Sequence, residues 1–460
     1  MNTSSRFSIT NVVSAALLSA AMLCGRTDKP APTPAAPATS SNPTVMLLKQ
    51  GHSENVRAKA AQDLGKAGDL STIPDLADAL ADPSAKVRRE VVLALVQFHK
   101  STVLPPLEKA TLDTDDGVRI TAVQCLVGYY SGNIPSSGIT GFMKKNWQRA
   151  AGHFQPDDTR IDPGIAVDPT VVTALIATMK DTRSNEASRE AAKGLGILGA
   201  TAAANDLVQA AHASDTDLAR EAINSLEKLK DRDSGPKLVD LLDSPNKDVK
   251  RDASVCVGIL LARVALPKLQ SIFQTDPDPK TKAAAIQGLA YLGDKVSVPI
   301  FTKALWNDDK AVRQSAAEGL ARAADPQSQG ELDKANAVEK DASAKLAIEF
   351  ALAALGKDDA LNAVVSELSS KIRGDVARTY LIELTRNPAN LPKLYPYLQS
   401  PDNSIRRRLC EVLMYSGDKD SLTQLDRLEH DQDNAVAAAA LRAKTAIRAR
   451  VAATAPAAKP

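Results

Sequence analysis

The chain has 460 residues, 44% of them hydrophobic but only 3% aromatic, and its 57 basic and 55 acidic residues leave a formal charge of +2. Such a chain has ample apolar side chain to bury and builds its core from Ala, Leu and Val, which is what closely packed helices need. The near-neutral balance gives no overall field for nucleic acid or a strongly acidic substrate, so neither is expected as a partner.

In chain order, residues 1–24 come first: a lone Arg6, an apolar run from Val12 to Leu23, and small residues near its end. That tripartite pattern reads as an export signal and is too short for an ordinary transmembrane span. Two processing routes stand side by side. Ser19-Ala20-Ala21 offers ordinary cleavage, and Cys24 offers lipidation, although Leu23 stands where a lipoprotein signal usually has Gly, Ala or Ser. Residues 25–43, rich in Pro, Ala, Ser and Thr, are expected to be a disordered tether.

From residue 44 a repeat begins. A leucine or valine recurs at Leu64, Leu95, Leu126, Leu195, Leu226, Val257, Leu289, Leu320, Leu352, Leu384 and Leu413, at intervals of 31, 31, 69, 31, 31, 32, 31, 32, 32 and 29 residues. A fixed period of about thirty residues means one supersecondary unit copied and stacked. Within it, apolar residues fall at i, i+4 and i+8, as in Val56, Ala60, Leu64 and Val312, Ala316, Leu320, which is one face of a helix. A second helix follows, often opened by proline: Pro74, Pro105, Pro236, Pro267, Pro299 and Pro392.

Acidic residues close most units, including Asp82, Asp115, Asp276, Asp309, Asp341, Asp402 and Asp431, and are expected to cap the incoming helix. Just inside each first helix sits a basic column, with Arg57, Arg88, Arg119, Arg313 and Arg406 among its members. Because the acidic column keeps the same period, the ladder is read as structural, each cation bridging to an acidic turn.

The long interval of 69 marks an insertion over residues 131–168, between residues 44–130 and 169–449 of the array. Five of the sixteen aromatic residues fall between Tyr129 and Phe154. Phe142, Lys144, Lys145, Trp147, Arg149 and Phe154 combine apolar and basic character, and three readings stay open: a cover folded back on the helices, a partner-binding finger, or a segment resting on a membrane surface. Residues 450–460 are expected to be a disordered tail.

The unit resembles a HEAT repeat of the short phycobilisome-lyase type, with its D-x-x-V-R-x-x-A-A-x-A-L-G character over residues 43–449. The resemblance implies an all-α fold, a right-handed α-solenoid or superhelix of about twelve two-helix repeats of about 31 residues. Relatives of this repeat include bilin lyases and deoxyhypusine hydroxylase, whose His-Glu pairs carry a di-iron site, and an enzyme or enzyme accessory is therefore the alternative reading. This chain has five isolated histidines and no His-Glu pair, so no metal site and no cofactor are expected.

A Gly194-x-Gly196-x-x-Gly199 motif falls at the end of a predicted first helix rather than after a strand, which disfavours a phosphate loop. The Arg406-Arg407-Arg408 run reads as one ladder residue and two solvated neighbours. Cys125, Cys256 and Cys410 lie in separate units, packed like alanine and unpaired. The expected function is a non-catalytic scaffold of the bacterial envelope, periplasmic or membrane-anchored, that binds a protein partner and meets the membrane only through an N-terminal lipid anchor.

Overall fold

The computed structural model describes residues 42–133, 160–162 and 164–454. After a lone helix, Pro43–Gln50, a long first helix opens each unit, numbered 1 to 12 here. These are Glu54–Ala67, Ala85–Val96, Asp116–Ser131, Asn185–Ile197, Thr216–Leu229, Lys247–Ile259, Pro279–Leu292, Lys310–Ala323, Ala342–Ala354, Gly374–Leu384, Asn403–Ser416 and Asn434–Thr454. Shorter second elements such as Ile73–Asp78, Leu104–Ala110 and Leu266–Thr275 separate them, so the fold is an all-α solenoid of helix pairs.

The leucine column is buried from Leu64 to Leu413. Successive first helices pack directly on one another, and small residues beside the column permit the approach. A Cβ on Gly65 would lie 2.8 Å from Ala94 Cα in the next unit, and one on Gly258 would lie 2.6 Å from Gly288 Cα. The second elements are thinner. A 3-10 turn precedes several, such as Leu70–Thr72 and Arg263–Ala265, and Gly235–Asp243 is a 3-10 helix throughout. Pro74, Pro105, Pro267, Pro299 and Pro392 occupy the second position of their helices, where a missing amide costs no intrahelical bond.

The acidic turns divide into two roles where the sequence suggests one. Asp115, Asp309, Asp341 and Asp402 cap their helices by accepting backbone amides. Asp82, Asp276 and Asp431 stand two residues before the cap position and are not caps. Each instead accepts the amide two residues on, at Ser84, Asp278 and Asp433, an Asx turn that aims its carboxylate at the basic ladder.

At the insertion, unit 3's first helix ends at Gly132, whose φ of 72° is open to glycine. The chain returns at Arg160, which donates to the Lys228 carbonyl of unit 5 at 3.1 Å, while the Ile161 amide donates to the Ile197 carbonyl of unit 4 at 3.0 Å. Asp168 then donates its amide to the Tyr130 hydroxyl at 3.1 Å and caps Pro169–Lys180, the second helix of unit 3.

The last helix runs to Thr454, five residues into the segment expected to be a disordered tail. Arg450 holds it there by donating to the carbonyls of Met414 at 2.9 Å and Gly417 at 2.6 Å. Among the described residues unit 12 is a single helix, and Lys444 stands at its leucine position. The Lys444 stem is buried and its ammonium meets Asp426 at 2.5 Å and Glu429 at 2.7 Å. Among the described residues no helix is long and apolar enough to cross a membrane.

Candidate functional site

At most of its arginines the basic ladder bridges to the turn ahead, whereas Lys282 donates to the Gln274 carbonyl of the turn behind it. Arg57 donates to both oxygens of Asp82 at 2.6 and 2.9 Å, and Arg88 does the same to Asp113 at 2.8 and 2.7 Å. Arg313 pairs with Glu339 at 2.7 and 2.9 Å, and Arg406 with Asp431 at 2.8 and 2.9 Å. Each also donates to a carbonyl of the turn behind it, at Gly51, Asp82, Asn307 and Ser400. The guanidinium fork thus joins two successive turns.

Arg119 departs from this pattern. Its side chain, 2% exposed, pairs with Asp116 of its own helix and donates to the Asp113 carbonyl at 2.5 Å, and its Nε has no partner among the described residues. The turn it faces holds Asp181, which Arg183 occupies at 2.6 Å, pulling that carboxyl down to about 2 by a hydrogen bond. The ladder lapses at the unit that carries the insertion.

A second polar group lies buried between units 7 and 10. Gln314, Glu318 and Arg322 stand at i, i+4 and i+8 on unit 8's first helix. Tyr380 of unit 10 donates its hydroxyl to Glu318 at 2.5 Å, and Gln314 donates to the same oxygen at 3.0 Å. Arg322 forks onto Glu383 of unit 10 at 2.7 and 3.1 Å and lies 4.9 Å from the Tyr291 ring centroid. Burial drives the Tyr380 hydroxyl well above its ordinary value, and the neighbouring Glu318 carboxylate pushes it the same way. Both carboxylates serve Arg322 and Tyr380 as acceptors, so the group's chemistry is that of cohesion.

The third feature is open to solvent. Trp306, 50% exposed, rims a cleft of about 540 Å³ lined by Val298, Pro299, Lys303, Asp325 and Glu331, on the second elements of units 7 and 8. Val264 and Val296 are exposed at equivalent positions of units 6 and 7, and Val338 at the end of unit 8's second helix. An exposed tryptophan among aliphatic side chains suits contact with another protein. In the sequence nothing but rarity marks Trp306, one of only two tryptophans in the chain.

Several residues singled out in the sequence have structural duties. Gly194 and Gly196 lie inside a helix, with Gly196 against Ser225 of the next unit, and Gly199, at φ 64°, follows its end. Arg407 pairs with Glu411 at 2.5 Å, and Arg408 donates to the Leu368 and Ser370 carbonyls, so the arginine run faces protein. Cys125, Cys256 and Cys410 are buried free thiols, and burial pushes the Cys410 thiol up to about 12. Among the described residues no cluster of His, Cys, Asp or Glu could hold a metal ion. Cys24 and the six insertion residues Phe142, Lys144, Lys145, Trp147, Arg149 and Phe154 lie outside the described residues.

By sequence, the family model of HEAT repeats matches residues 42–127, 168–258 and 266–353. No curated protein matches the chain. Among solved structures it is similar to the CpcE–CpcF complex of phycocyanin lyase from Nostoc, at 21% identity and TM-score 0.34 over 55% of this chain and 88% of that one. It is also similar to human deoxyhypusine hydroxylase, at 15% identity and TM-score 0.25 over 61% and 94% of the two chains. A third likeness is to the karyopherin Kap121p bound to the extreme C-terminus of the phosphatase Cdc14p, at 12% identity and TM-score 0.40 over 89% and 49%.

Proposed function

This chain belongs to the HEAT-repeat family, and we propose that within it the protein is a non-catalytic scaffold that binds a protein partner. The observation that carries this reading is the cleft at Trp306, where an indole half open to water stands on a layer of second elements that also exposes Val264, Val296 and Val338. Large side chains of this kind supply most of the energy of an interface when a partner covers them, and cost solubility when none does. The insertion residues Phe142, Lys144, Lys145, Trp147, Arg149 and Phe154 support the same reading by residue type alone, since they combine apolar and basic character. The export pattern of residues 1–24 supports a bacterial-envelope location for this scaffold, either periplasmic or held by a lipid on Cys24.

The test is affinity purification of the full chain from its native envelope, beside Trp306→Ala and a deletion of residues 134–159 joined by a short Gly/Ser linker. The deletion spares Arg160 and Ile161, which hold the return strand to units 4 and 5. Loss of a reproducible partner from either variant, with helical content unchanged, supports the reading. Full recovery of every partner by both variants overturns it, and a stoichiometric metal or chromophore in the wild-type protein would revive an enzymatic role.

A further inference from the structure

The residue one before the leucine column faces the preceding unit. It is Ala94, Cys125, Gly194, Ser225, Cys256, Gly288, Gly319 and Ala351 in units 2 to 9. Such small residues permit the close helix approach already described at Gly258 and Gly288. In unit 10 this position is Glu383. The residue four before the column, Ala in most units, is there Tyr380.

Neither side chain fits where a neighbouring backbone normally lies. Accordingly the helix Gly374–Leu384 packs far less closely on unit 9's first helix than unit 9 packs on unit 8. The two large side chains instead pass over unit 9 and bind unit 8, about one repeat further back than the rule. Glu383 takes the fork of Arg322, 61 residues earlier, and Tyr380 reaches Glu318, 62 residues earlier. Phe350 of unit 9 is sandwiched beneath, stacked on the Tyr380 ring at 4.2 Å and 6°. The row that holds Glu318 and Phe350 is half-buried in units 3 to 7, as at Val255 and Gln287, and is buried in units 8 and 9.

We propose that the solenoid consists of two blocks, units 1–9 and units 10–12, and that the Arg322–Glu383 and Tyr380–Glu318 pairs form a latch setting the angle between them. Elsewhere in the array that angle is set by helix laid on helix, over many apolar contacts. At this joint the first helices are held instead by two hydrogen-bonded pairs and one ring stack, beside the second-element contacts that Arg408 makes at Leu368 and Ser370, so the angle is sensitive to the loss of a few polar groups. Interfaces with two discrete arrangements are what allow a small local change to move whole blocks.

The test is the distance between nitroxide labels at Ser271→Cys, on unit 6, and Thr445→Cys, on unit 12, both exposed, in the full chain carrying Cys24→Ser. The other cysteines are buried and shielded from the label. The wild-type chain is expected to give a single narrow distribution, and Arg322→Met and Glu383→Gln a shifted or broadened one. Arg313→Met, which breaks an ordinary rung lying between the labels, is the control and is expected to leave the distribution narrow. The proposal is overturned if Glu383→Gln and Tyr380→Phe both keep the wild-type distribution, or if Arg313→Met broadens it as much as they do. These two milder variants decide the matter even if Arg322→Met does not fold.

Discussion

Where Arg406 meets Asp431, the guanidinium makes two hydrogen bonds to the carboxylate and a third to the Ser400 carbonyl at 2.7 Å. Asp431→Ala leaves a partly buried charged donor without its acceptor, and the expected loss is about 1–3 kcal/mol. Urea unfolding at pH 7 measures it, and a change under about 0.5 kcal/mol would reduce the rung to an ordinary surface pair. The same geometry fixes the sign of the pH dependence. Arg406 holds the Asp431 carboxyl below its ordinary 3.8, and Arg313 does the same for Glu339 below 4.5. A carboxyl depressed in the folded state adds stability that is complete above its unfolded value and is lost as pH falls through the folded one. Stability is therefore expected to drop as pH falls below about 4, and Asp431→Asn is expected to flatten that drop. An equally steep fall in the variant, followed by urea midpoints from neutral to acid pH, would remove the rung from the account.

The helix Asn434–Thr454 departs from the others at its column residue. Lys444 occupies the column where other units place Leu, with its stem buried and its ammonium on Asp426 and Glu429. Asp426 is 59% exposed, so it rehydrates easily once the lysine is gone. Lys444→Leu is therefore expected to keep or raise the protection of Asn434–Thr454, because leucine restores the apolar column and the carboxylates it leaves, Asp426 and Glu429, both reach water. Lys444→Ala loses both packing and pair and is expected to fray the helix. Amide exchange over residues 434–454 separates the two, and faster exchange in Lys444→Leu than in the wild type would show that the charge pair itself holds the end.

That column was legible because it repeats. Leu64 through Leu413, the prolines of the second elements and the Arg57, Arg88 and Arg406 positions each show a local pattern many times over. Asp82 and Asp431 were misread as caps because capping depends on an offset of two residues within a turn, and both positions are acidic. Tyr380 and Glu383 stand in the sequence as departures from small residues, but what they reach is decided by unit 8, two units away. The exposure of Trp306 depends on the packing of the second elements of units 7 and 8, which no spacing encodes.

Across the whole molecule, a repeat array is stabilised by the sum of its units and its nearest-neighbour interfaces, so a weak interface divides it. The arginines of the ladder name one. Arg57, Arg88, Arg189, Arg313 and Arg406 each reach an acidic residue in the turn ahead, whereas Arg119 stops at its own helix. The interval that separates it from the next turn contains the insertion, and Asp181 in that turn is held by Arg183. Units 1–3 are therefore expected to open at lower urea than units 4–8, so that unfolding departs from a two-state transition. Hydrogen exchange resolves this directly, with the helix Ala85–Val96 exchanging sooner than Lys247–Ile259 as urea rises. Arg183→Ala supplies the converse, since Arg119 already lies near enough to Asp181 to help lower its carboxyl. Freed from Arg183, Asp181 becomes the acceptor that the rung lacks, and the two blocks are expected to open closer together. Equal exchange of the two helices in the wild-type chain would mean that the lapse at Arg119 does not weaken the array.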